Sequence, residues 1–347
     1  MRVLITGGAG FIGSNFIDYI LYRQTDWEIV NLDRLTYAGN LDNLKKVQNH
    51  PRYRFVKGDI RDRELVRDLF DRYDIRGVIH FAAESHVDNS IHNPAIFIET
   101  NVEGTFTLLD AAYRYWMSDP SQPKDGYEHC RFHHISTDEV YGSLDERGYF
   151  TEETPYAPNS PYSASKASSD MIVRSYHHTY GLNTVISNCS NNFGPRQHNE
   201  KLIPTIIRHA IRGETIPIYG DGKNIRDWLY VEDHCRAIEK IYRNGAAGET
   251  YLVGTRNELD NLEMAYRICT ILDRIIPVKR NKDCRLLDVS TYKELIGFVK
   301  DRPGHDRRYA INPEKLEKRL KWIPHYTFDA ALQKTVEWYV EKYRGTM

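Results

Sequence analysis

Residues 3–13 read Val-Leu-Ile-Thr-Gly-Gly-Ala-Gly-Phe-Ile-Gly, a short apolar run that continues into glycines at positions 7, 10 and 13. The apolar run predicts a buried strand, and the pattern of Ser14–Tyr22 predicts an amphipathic helix directly after it. Glycines at such a junction permit a tight turn and let backbone N–H groups and the helix N-terminus approach a pyrophosphate. Because glycine triplets also occur in ordinary turns, this stretch alone is compatible with either a structural turn or a dinucleotide site.

A carboxylate at the end of the second apolar run favours the dinucleotide site. Asp33 follows Gly13 by 20 residues, where an acidic side chain binds a ribose 2′-hydroxyl; a loop carboxylate is the alternative. Aspartate there predicts NAD rather than NADP, because a 2′-phosphate would meet a negative charge, and the adjacent Arg34 weakens this preference slightly. The remaining candidates for cofactor contact are Gly7, Gly10, Phe11, Ile12, Leu35, Thr36, Asp59, Ile60, Phe81, Ala82, Ala83, Ser85, Thr100, Tyr162 and Lys166.

Strand and helix patterns alternate through the first half of the chain. Apolar runs predict strands at Val3–Thr6, Glu28–Leu32, Tyr53–Lys57, Gly77–Phe81, Arg131–Ser136 and Thr184–Cys189, with amphipathic stretches at Ser14–Tyr22, Asp62–Asp71 and Asn101–Trp116 between them. This alternation predicts an α/β fold, a doubly wound parallel sheet of the Rossmann type with helices on both faces. After about residue 190, Pro and Gly separate shorter elements, which predicts a second, smaller substrate-binding domain. We expect residues 1–190 to form the NAD-binding domain, with a segment near 224–254 returning to it, and residues 191–347 to bind the substrate.

Composition excludes several classes of protein. The chain has 347 residues, with 47 Lys and Arg against 48 Asp and Glu, whereas a nucleic-acid-binding protein needs a basic surplus. No segment approaches the ~18 consecutive apolar residues of a membrane span, and the N-terminus lacks the pattern of a signal peptide. The 5 cysteines form no C-x-x-C pair, and no cluster has the spacing of metal ligands. We therefore expect a soluble cytoplasmic protein without a metal site.

The segment Tyr162-Ser163-Ala164-Ser165-Lys166 places a tyrosine and a lysine on one face of a helix, and Pro161 suits the start of that helix. A tyrosine hydroxyl titrates near ~10, and an adjacent ammonium stabilises its phenolate, which can then act as a base. With 24 tyrosines in the chain, this spacing alone arises readily by chance. Combined with the glycine-rich turn and Ser136-Thr137 at the end of a predicted strand, it resembles the extended short-chain dehydrogenase/reductase superfamily.

Two adjacent carboxylates narrow the resemblance to one family. The segment 136–142 reads Ser-Thr-Asp-Glu-Val-Tyr-Gly, with Asp138 and Glu139 where epimerases and reductases of the superfamily have uncharged residues. With the segments Ala83–Asp88, Ser190–Pro195, Glu200–Pro204 and Arg302–Asp306, it resembles the dTDP-glucose 4,6-dehydratases, and the likeness extends from Arg2 to about Tyr339.

The resemblance implies a mechanism and a set of site residues. Tyr162 takes the proton of the sugar 4-hydroxyl while hydride passes to NAD, Glu139 is the base at C5, Asp138 is the acid at C6, and Thr137 binds the 4-oxygen. Lys166 completes the catalytic set. Because adjacent strand residues point to opposite faces, Asp138 and Glu139 can share a substrate only if the strand ends at Ser136-Thr137. The implied contacts to a nucleotide-sugar substrate are Ser85, Thr137, Asn191, Lys201, Leu202, Ile203, Arg226, Asn261, Arg302 and His305.

Family resemblance also implies a homodimer, in which the helices at Asn101–Trp116 and Tyr162–Tyr180 pair across a two-fold axis. Two positions depart from the family pattern: Asn188 stands where members usually have Arg, and Asn199 where Pro is common. These departures leave UDP-hexose open as a substrate beside dTDP-glucose. Two further functions remain open, a 4-epimerase or decarboxylase of the same superfamily and a non-catalytic nucleotide-sugar sensor. An epimerase has no use for the paired carboxylates, and a sensor needs none of the catalytic residues.

Overall fold

The computed structural model describes residues 1–23, 26–284 and 287–345. Its strands, in chain order, are β1 (Arg2–Thr6), β2 (Glu28–Asp33), β3 (Tyr53–Lys57), β4 (Gly77–His80), β5 (Met117–Asp119), β6 (Gln122–Pro123), β7 (Arg131–Thr137), β8 (Thr184–Cys189), β9 (Asn191–Phe193), β10 (Ile216–Tyr219), β11 (Ile225–Tyr230), β12 (Thr250–Val253), β13 (Glu258–Asp260) and β14 (Ile296–Val299).

The α-helices are α1 (Phe11–Arg23), α2 (Arg63–Tyr73), α3 (Val87–His92), α4 (Pro94–Phe97), α5 (Gly104–Trp116), α6 (Pro161–Tyr180), α7 (Leu202–Arg212), α8 (Val231–Asn244), α9 (Asn261–Ile275), α10 (Glu314–Leu320) and α11 (Phe328–Gly345). Short 3₁₀ helices lie at Leu41–Leu44, Asp138–Tyr141, Val278–Arg280 and Tyr292–Leu295, and a π-helical segment at Ile98–Glu103 leads into α5. Local sequence sets several boundaries: the Asp62 carboxylate accepts the N–H of Leu65 before α2, and Gly181 in the left-handed region ends α6.

Seven strands form the central sheet in the order β12-β8-β7-β4-β1-β2-β3, and every neighbouring pair is parallel. The strand order reverses between β1 and β4, so the chain winds outward in both directions from this point. Helices α1 and α8 pack together on one face, whereas α2, α5 and α6 cover the other. Because both faces are covered, most residues of these strands are buried, including polar ones such as His133 and Ser136 of β7. The predicted Rossmann-type fold is confirmed.

A smaller region lies at the carboxyl edge of the sheet. It contains the three-stranded sheet β13-β11-β9, the parallel pair β10-β14, and the mutually packed helices α7, α9 and α11. Its core includes Ile207, Ile268 and Val336, which are fully buried. Strand β12 comes after this region begins in the sequence but forms an edge of the central sheet. The division into domains at residue 190 stays a prediction.

Candidate active site

The turn between β1 and α1 forms a cradle that excludes side chains. Gly7 has a φ of +71°, and a Cβ added there would lie 2.6 Å from the backbone nitrogen of Ala82, just after β4. A Cβ on Gly13 would overlap the carbonyl oxygen of Gly7 and lie 2.8 Å from the Cα of Gly8. Backbone groups therefore line this turn, and they fit the pyrophosphate of a dinucleotide.

Asp33 ends β2 and faces the same turn. Its carboxylate accepts the N–H groups of Ala9 and Leu35, each at 2.8 Å. Burial raises the pKa of Asp33, and these two N–H groups act against that rise. The neighbouring Arg34 guanidinium lies 3.2 Å from the Asp59 carboxylate, which balances its charge. The end of β2 thus suits a ribose hydroxyl better than a 2′-phosphate.

A cavity extends from the glycine turn along the carboxyl ends of the central strands. Every residue predicted to contact the cofactor lines it except Leu35, whose side chain packs against the hydrophobic core. The predicted catalytic residues line the same cavity: Thr137, Asp138, Glu139, Tyr162 and Lys166. Both sets therefore meet where the strand order reverses, which is where open parallel sheets bind their ligands.

The two carboxylates predicted to be catalytic reach this cavity because the chain turns immediately after β7. The strand ends at Thr137, and a 3₁₀ helix begins at Asp138. The Thr137 hydroxyl caps that helix by accepting the N–H of Glu139 at 3.3 Å. Asp138 and Glu139 are thereby freed from the alternation of a strand, and both line the cavity.

The two carboxyl groups have different electrostatic surroundings. Burial, followed by the charge of Glu139, raises the pKa of Asp138 well above its usual range. Among the described residues, no group hydrogen-bonds to Oδ2 of Asp138. Burial also raises the pKa of Glu139, but Arg302, Arg226 and Lys201 act against that rise. Asp138 is therefore held as a neutral acid, while three cations favour the ionised form of Glu139.

Helix α6 presents Tyr162 and Lys166 one turn apart on a buried face. It begins at Pro161, and a capping box closes its first turn. The Lys166 ammonium donates to the carbonyl of Ile135 at 2.8 Å, and burial lowers the pKa of Lys166 to about 8. Burial, followed by the charge of Glu139, raises the pKa of Tyr162 well above 10. Tyr162 is thus a neutral phenol here, and its ionisation requires added positive charge.

Basic side chains lie beyond the carboxylates. Lys201 lines the cavity, and its ammonium donates to the carbonyl of Ser85 at 3.2 Å. The buried Arg226 guanidinium lies 4.3 Å from the ring centroid of Tyr309. The partly buried Arg302 is the third cation that acts on Glu139. These three groups provide charge complementary to a pyrophosphate.

The predicted substrate residues divide into those that line the cavity and those that do not. Ser85, Thr137, Asn191 and Lys201 line it, whereas Leu202, Ile203, Arg226, Asn261, Arg302 and His305 do not. Leu202 begins α7 with Ile203, which is fully buried in the core and contributes to packing. Asn261 begins α9, and Nδ1 of His305 lies 2.6 Å from the Asp301 carboxylate. The substrate roles of all ten stay predictions.

Comparison with known proteins gives consistent matches over the whole chain. A family model described as GDP-mannose 4,6 dehydratase matches residues 4–335. The dTDP-glucose 4,6-dehydratase of Neisseria gonorrhoeae is 50% identical over 341 residues, covering 98% of this chain and 96% of that protein. The chain belongs to the dTDP-glucose 4,6-dehydratase family.

Two solved structures of dTDP-glucose 4,6-dehydratases agree with this assignment. The enzyme from Bacillus anthracis, solved in complex with NAD, is 44% identical, with a TM-score of 0.84, and the match covers 99% of this chain and 98% of that chain. The enzyme from Streptomyces venezuelae, also with NAD bound, is 44% identical, with a TM-score of 0.86, over 100% and 98% of the two chains. The predicted family and the prediction of NAD as cofactor are confirmed.

Several residues that line the cavity were not among the predicted catalytic, cofactor-binding or substrate-binding residues. They are Ser136, Glu84, Cys189, Asn192, Gln197, His198 and Glu200. Glu84 and Glu200 lie within segments that carry the family resemblance, which was the available signal. Nδ1 of His198 lies 3.4 Å from the Glu200 carboxylate, and its ring packs edge-on against Tyr37 at 5.5 Å between centroids. That contact joins two loops distant in sequence, so periodicity could not indicate it.

Asn188, which departs from the family pattern, lies in β8 beside β7. Its side-chain amide donates to the carbonyl of Thr137 and to the Asp170 carboxylate, each at 3.1 Å. Asn199, the other position that departs from the family pattern, accepts a hydrogen bond from Tyr343 of α11 at 2.7 Å.

Across the described ranges, no helix combines the length and apolar character needed to cross a membrane.

Proposed function

We propose that this chain converts dTDP-glucose to dTDP-4-keto-6-deoxyglucose, as an NAD-dependent hydro-lyase. One observation carries the proposal: Asp138 and Glu139 line the same cavity as Tyr162 and Lys166, and cations oppose the rise in pKa that burial causes mainly at Glu139. Elimination of water requires both an acid and a base beside the group that oxidises the sugar. Oxidation and reduction at C4 alone would need neither carboxylate.

The first step is oxidation at C4. Tyr162 accepts the proton of the sugar 4-hydroxyl, and the Lys166 ammonium on the same helix face stabilises the phenolate that accepts it. Thr137, at the end of β7, hydrogen-bonds to the 4-oxygen. When bound, NAD supplies a hydride acceptor for C4, a hydride donor for C6 and the positive charge of its nicotinamide ring. Burial raises the pKa of Tyr162, so a positive charge bound beside it would favour the phenolate that accepts the proton.

The second step is elimination across C5 and C6. The C4 ketone acidifies the C5 hydrogen, which the Glu139 carboxylate removes. The C6–oxygen bond breaks as Asp138 protonates the leaving hydroxyl, so one water leaves and a C5–C6 double bond forms. Hydride addition at C6 and return of a proton to C5 from Glu139 complete the product. Asp138 thus donates a proton that its buried surroundings help it to retain, and Glu139 accepts a proton beside three cations that oppose the rise in its pKa.

The cationic group formed by Lys201, Arg226 and Arg302 supports the nucleotide end of the substrate. The charge of each of these side chains acts on Glu139. A pyrophosphate bound to the three cations would therefore lie close to the sugar on which Glu139 acts. The negative charge of a bound pyrophosphate would pair with the three cations, which now balance the charge of the Glu139 carboxylate.

We further propose that the protein works in the cytoplasm as a homodimer. We expect all 5 cysteines to be reduced, since each is buried and unpaired in the structure.

A direct test is incubation of the purified protein with dTDP-glucose and, separately, with UDP-glucose. The expected result is a product of dTDP-glucose that has lost one water, detected by mass spectrometry, without added cofactor. Preference for UDP-glucose would identify a UDP-hexose 4,6-dehydratase. A product of unchanged mass with inverted C4 stereochemistry would identify an epimerase, and binding without turnover would identify a sensor.

A further inference from the structure

The buried face of α6 carries a third chemical group beyond the tyrosine and the lysine. Tyr162, Lys166 and Asp170 are spaced four residues apart, so they lie on one face over two turns of the helix. The side chain of Asp170 is 0% exposed. The proposed mechanism gives this carboxylate no step. A buried carboxylate costs stability unless its charge is compensated, so its presence needs an explanation.

Hydrogen-bond donors surround one oxygen of Asp170. Oδ2 accepts the hydroxyls of Ser136 and Tyr156, each at 2.9 Å, and the amide of Asn188 at 3.1 Å. These donors come from β7, from the segment before α6 and from β8, and all are neutral. Burial raises the pKa of Asp170, and the charge of Lys166 together with these three donors acts against that rise.

The other carboxylate oxygen of Asp170 lies close to His134, which also contacts Lys166. Oδ1 of Asp170 lies 3.2 Å from Nε2 of His134, and the same Nε2 lies 3.3 Å from Nζ of Lys166. Both His134 and Asp170 are fully buried, and His134 is held neutral because burial and Lys166 lower its pKa well below 6.5. The same ring nitrogen thus lies close to an ammonium and to a carboxylate that are both removed from water, and in a neutral imidazole it can accept from the ammonium or donate to the carboxylate, but not both.

We propose that Asp170 is a positioning residue, whose negative charge beside His134 and Lys166 holds Lys166 as an ammonium ion and so sets the protonation of the Tyr162–Lys166 pair. Burial lowers the pKa of Lys166, and the negative charge of Asp170 acts against that fall. Without Asp170, the pair would lose its proton from the lysine and become an amine beside a phenol. That form cannot stabilise the phenolate that accepts the substrate proton. The inference rests on the proposed function for its kinetic consequence, but not for the charge pairing.

Other ionisable groups face this pair from the surrounding elements. They are His80 of β4, His134 of β7, Cys189 of β8, Asp138, Glu139 and Tyr141 of the 3₁₀ helix, and Tyr156 before α6. Burial holds His80 and His134 neutral, and it raises the pKa of Cys189 to about 12. Asp138 and Glu139 are unchanged between the native enzyme and variants at position 170. A difference between the pH profile of the native enzyme and that of a variant at position 170 therefore reports the charge at position 170.

The kinetic test is the pH profile of the C4 oxidation alone, followed by nicotinamide absorbance in a single turnover. Asp170→Asn keeps the shape of the side chain and removes its charge, which makes proton loss from the pair easier. The midpoint of the acid limb is expected to fall by about one pH unit or more, and the plateau rate is expected to fall with it. Asp170→Glu, which restores the charge, is expected to return the midpoint to the native pH.

Ser169→Ala is the matched control on the same helix. The Ser169 hydroxyl is buried but donates to the carbonyls of Asn101 and Ser165, outside the charged network. This variant is expected to keep the native midpoint. A lower plateau with an unshifted midpoint in Asp170→Asn would mean that Asp170 serves only packing, and it would overturn the proposal.

A stability test requires no activity and separates this proposal from the proposed function. Lys166→Met removes the ammonium and leaves the Asp170 carboxylate buried without a counter-charge, which is strongly destabilising. Adding Asp170→Asn removes the stranded charge, so the double variant is expected to unfold at a higher temperature than Lys166→Met at pH 8. If Asp170→Asn lowers the unfolding temperature equally in both backgrounds, the two residues are not a charge pair. This arm also applies if Asp170→Asn alone yields too little folded enzyme for kinetics.

Discussion

The hydroxyl of Thr137 accepts the backbone N–H of Glu139 at 3.3 Å, and this hydrogen bond marks the point where β7 becomes a 3₁₀ helix. In an extended strand, Asp138 and Glu139 would point to opposite faces of the sheet. Because the chain turns here, both carboxyl groups line one cavity. The cap therefore allows the acid and base roles that we propose for Asp138 and Glu139 on adjacent carbons of one sugar.

Replacing Glu139 with glutamine should separate oxidation from elimination. Glu139→Gln keeps the size and hydrogen bonding of the side chain but removes the base for C5, so water loss should slow by ~10²–10⁴-fold. Oxidation at C4 should continue and produce a 4-keto sugar that retains its 6-hydroxyl. Nicotinamide absorbance and product mass, followed in one reaction, measure the two steps. Dehydration at the native rate would show that the paired carboxylates are not the elimination machinery.

Replacing Asp138 with asparagine should increase stability at high pH while abolishing dehydration. Burial raises the pKa of Asp138 in the folded state, so the folded protein holds a proton that the unfolded chain releases above its pKa of ~3.9. The native protein therefore loses stability as pH rises from that value towards the folded pKa. The asparagine side chain of the Asp138→Asn variant has no proton to lose over this range, so the variant avoids that loss.

Thermal unfolding at pH 5 and pH 8 measures this difference. The gain in unfolding temperature of Asp138→Asn over the native protein should be larger at pH 8. Ser169→Ala, which removes a buried hydroxyl that donates only to the carbonyls of Asn101 and Ser165, is the control and should show no such pH dependence. An equal effect of Asp138→Asn at both pH values would mean that Asp138 is not held protonated by the fold.

Sequence patterns predicted the central strands closely because a short apolar run between glycines and polar residues is too short for a buried helix and fits a buried strand. The predicted strand Tyr53–Lys57 agrees at both ends with β3, and Glu28–Leu32 falls one residue short of β2. The requirement that the strand end at Ser136-Thr137 agrees with β7, which stops at Thr137. The prediction of this strand end came from the alternation of adjacent side chains in a strand, so the local sequence was sufficient to make it.

Contacts between loops distant in sequence could not be predicted in the same way. The packing of Tyr37 against His198, and the position of Glu200 beside them, depend on the tertiary arrangement of the smaller region against the sheet. The environment of Asp170 was also hidden, because its donors come from three separate elements. Periodicity identifies a buried face, but it does not identify the groups that meet there.

Replacing Tyr162 with phenylalanine should stop the reaction before the first hydride transfer. The variant loses the group that accepts the 4-hydroxyl proton, so turnover should fall by ~10²-fold or more. Substrate binding should survive, because the ring still packs edge-on against Phe97, 6.3 Å away between centroids. Turnover and calorimetric affinity for dTDP-glucose measure the two effects. Near-native turnover would assign Tyr162 to packing alone.

Replacing Gly13 with alanine should remove the cofactor while leaving most of the fold. The added Cβ would overlap the Gly7 carbonyl oxygen and lie 2.8 Å from the Cα of Gly8, so backbone atoms of the turn would have to move. Overpacking of this kind costs ~1–3 kcal/mol, and it distorts the surface that a pyrophosphate must approach. Gly345→Ala, where no atom lies within 4 Å of an added Cβ, is the matched control.

The measurement is the NAD released when each purified protein is denatured. Since hydride returns to the sugar in every turnover, the native protein has no need to exchange its cofactor and should carry NAD without any being added. Gly345→Ala should carry the same amount. Gly13→Ala should carry at least ~10-fold less, because a loss of ~1.4 kcal/mol in binding is already tenfold in affinity. Equal NAD content in all three proteins would show that the cofactor does not depend on this turn, and release of NADP instead would contradict the role assigned to Asp33.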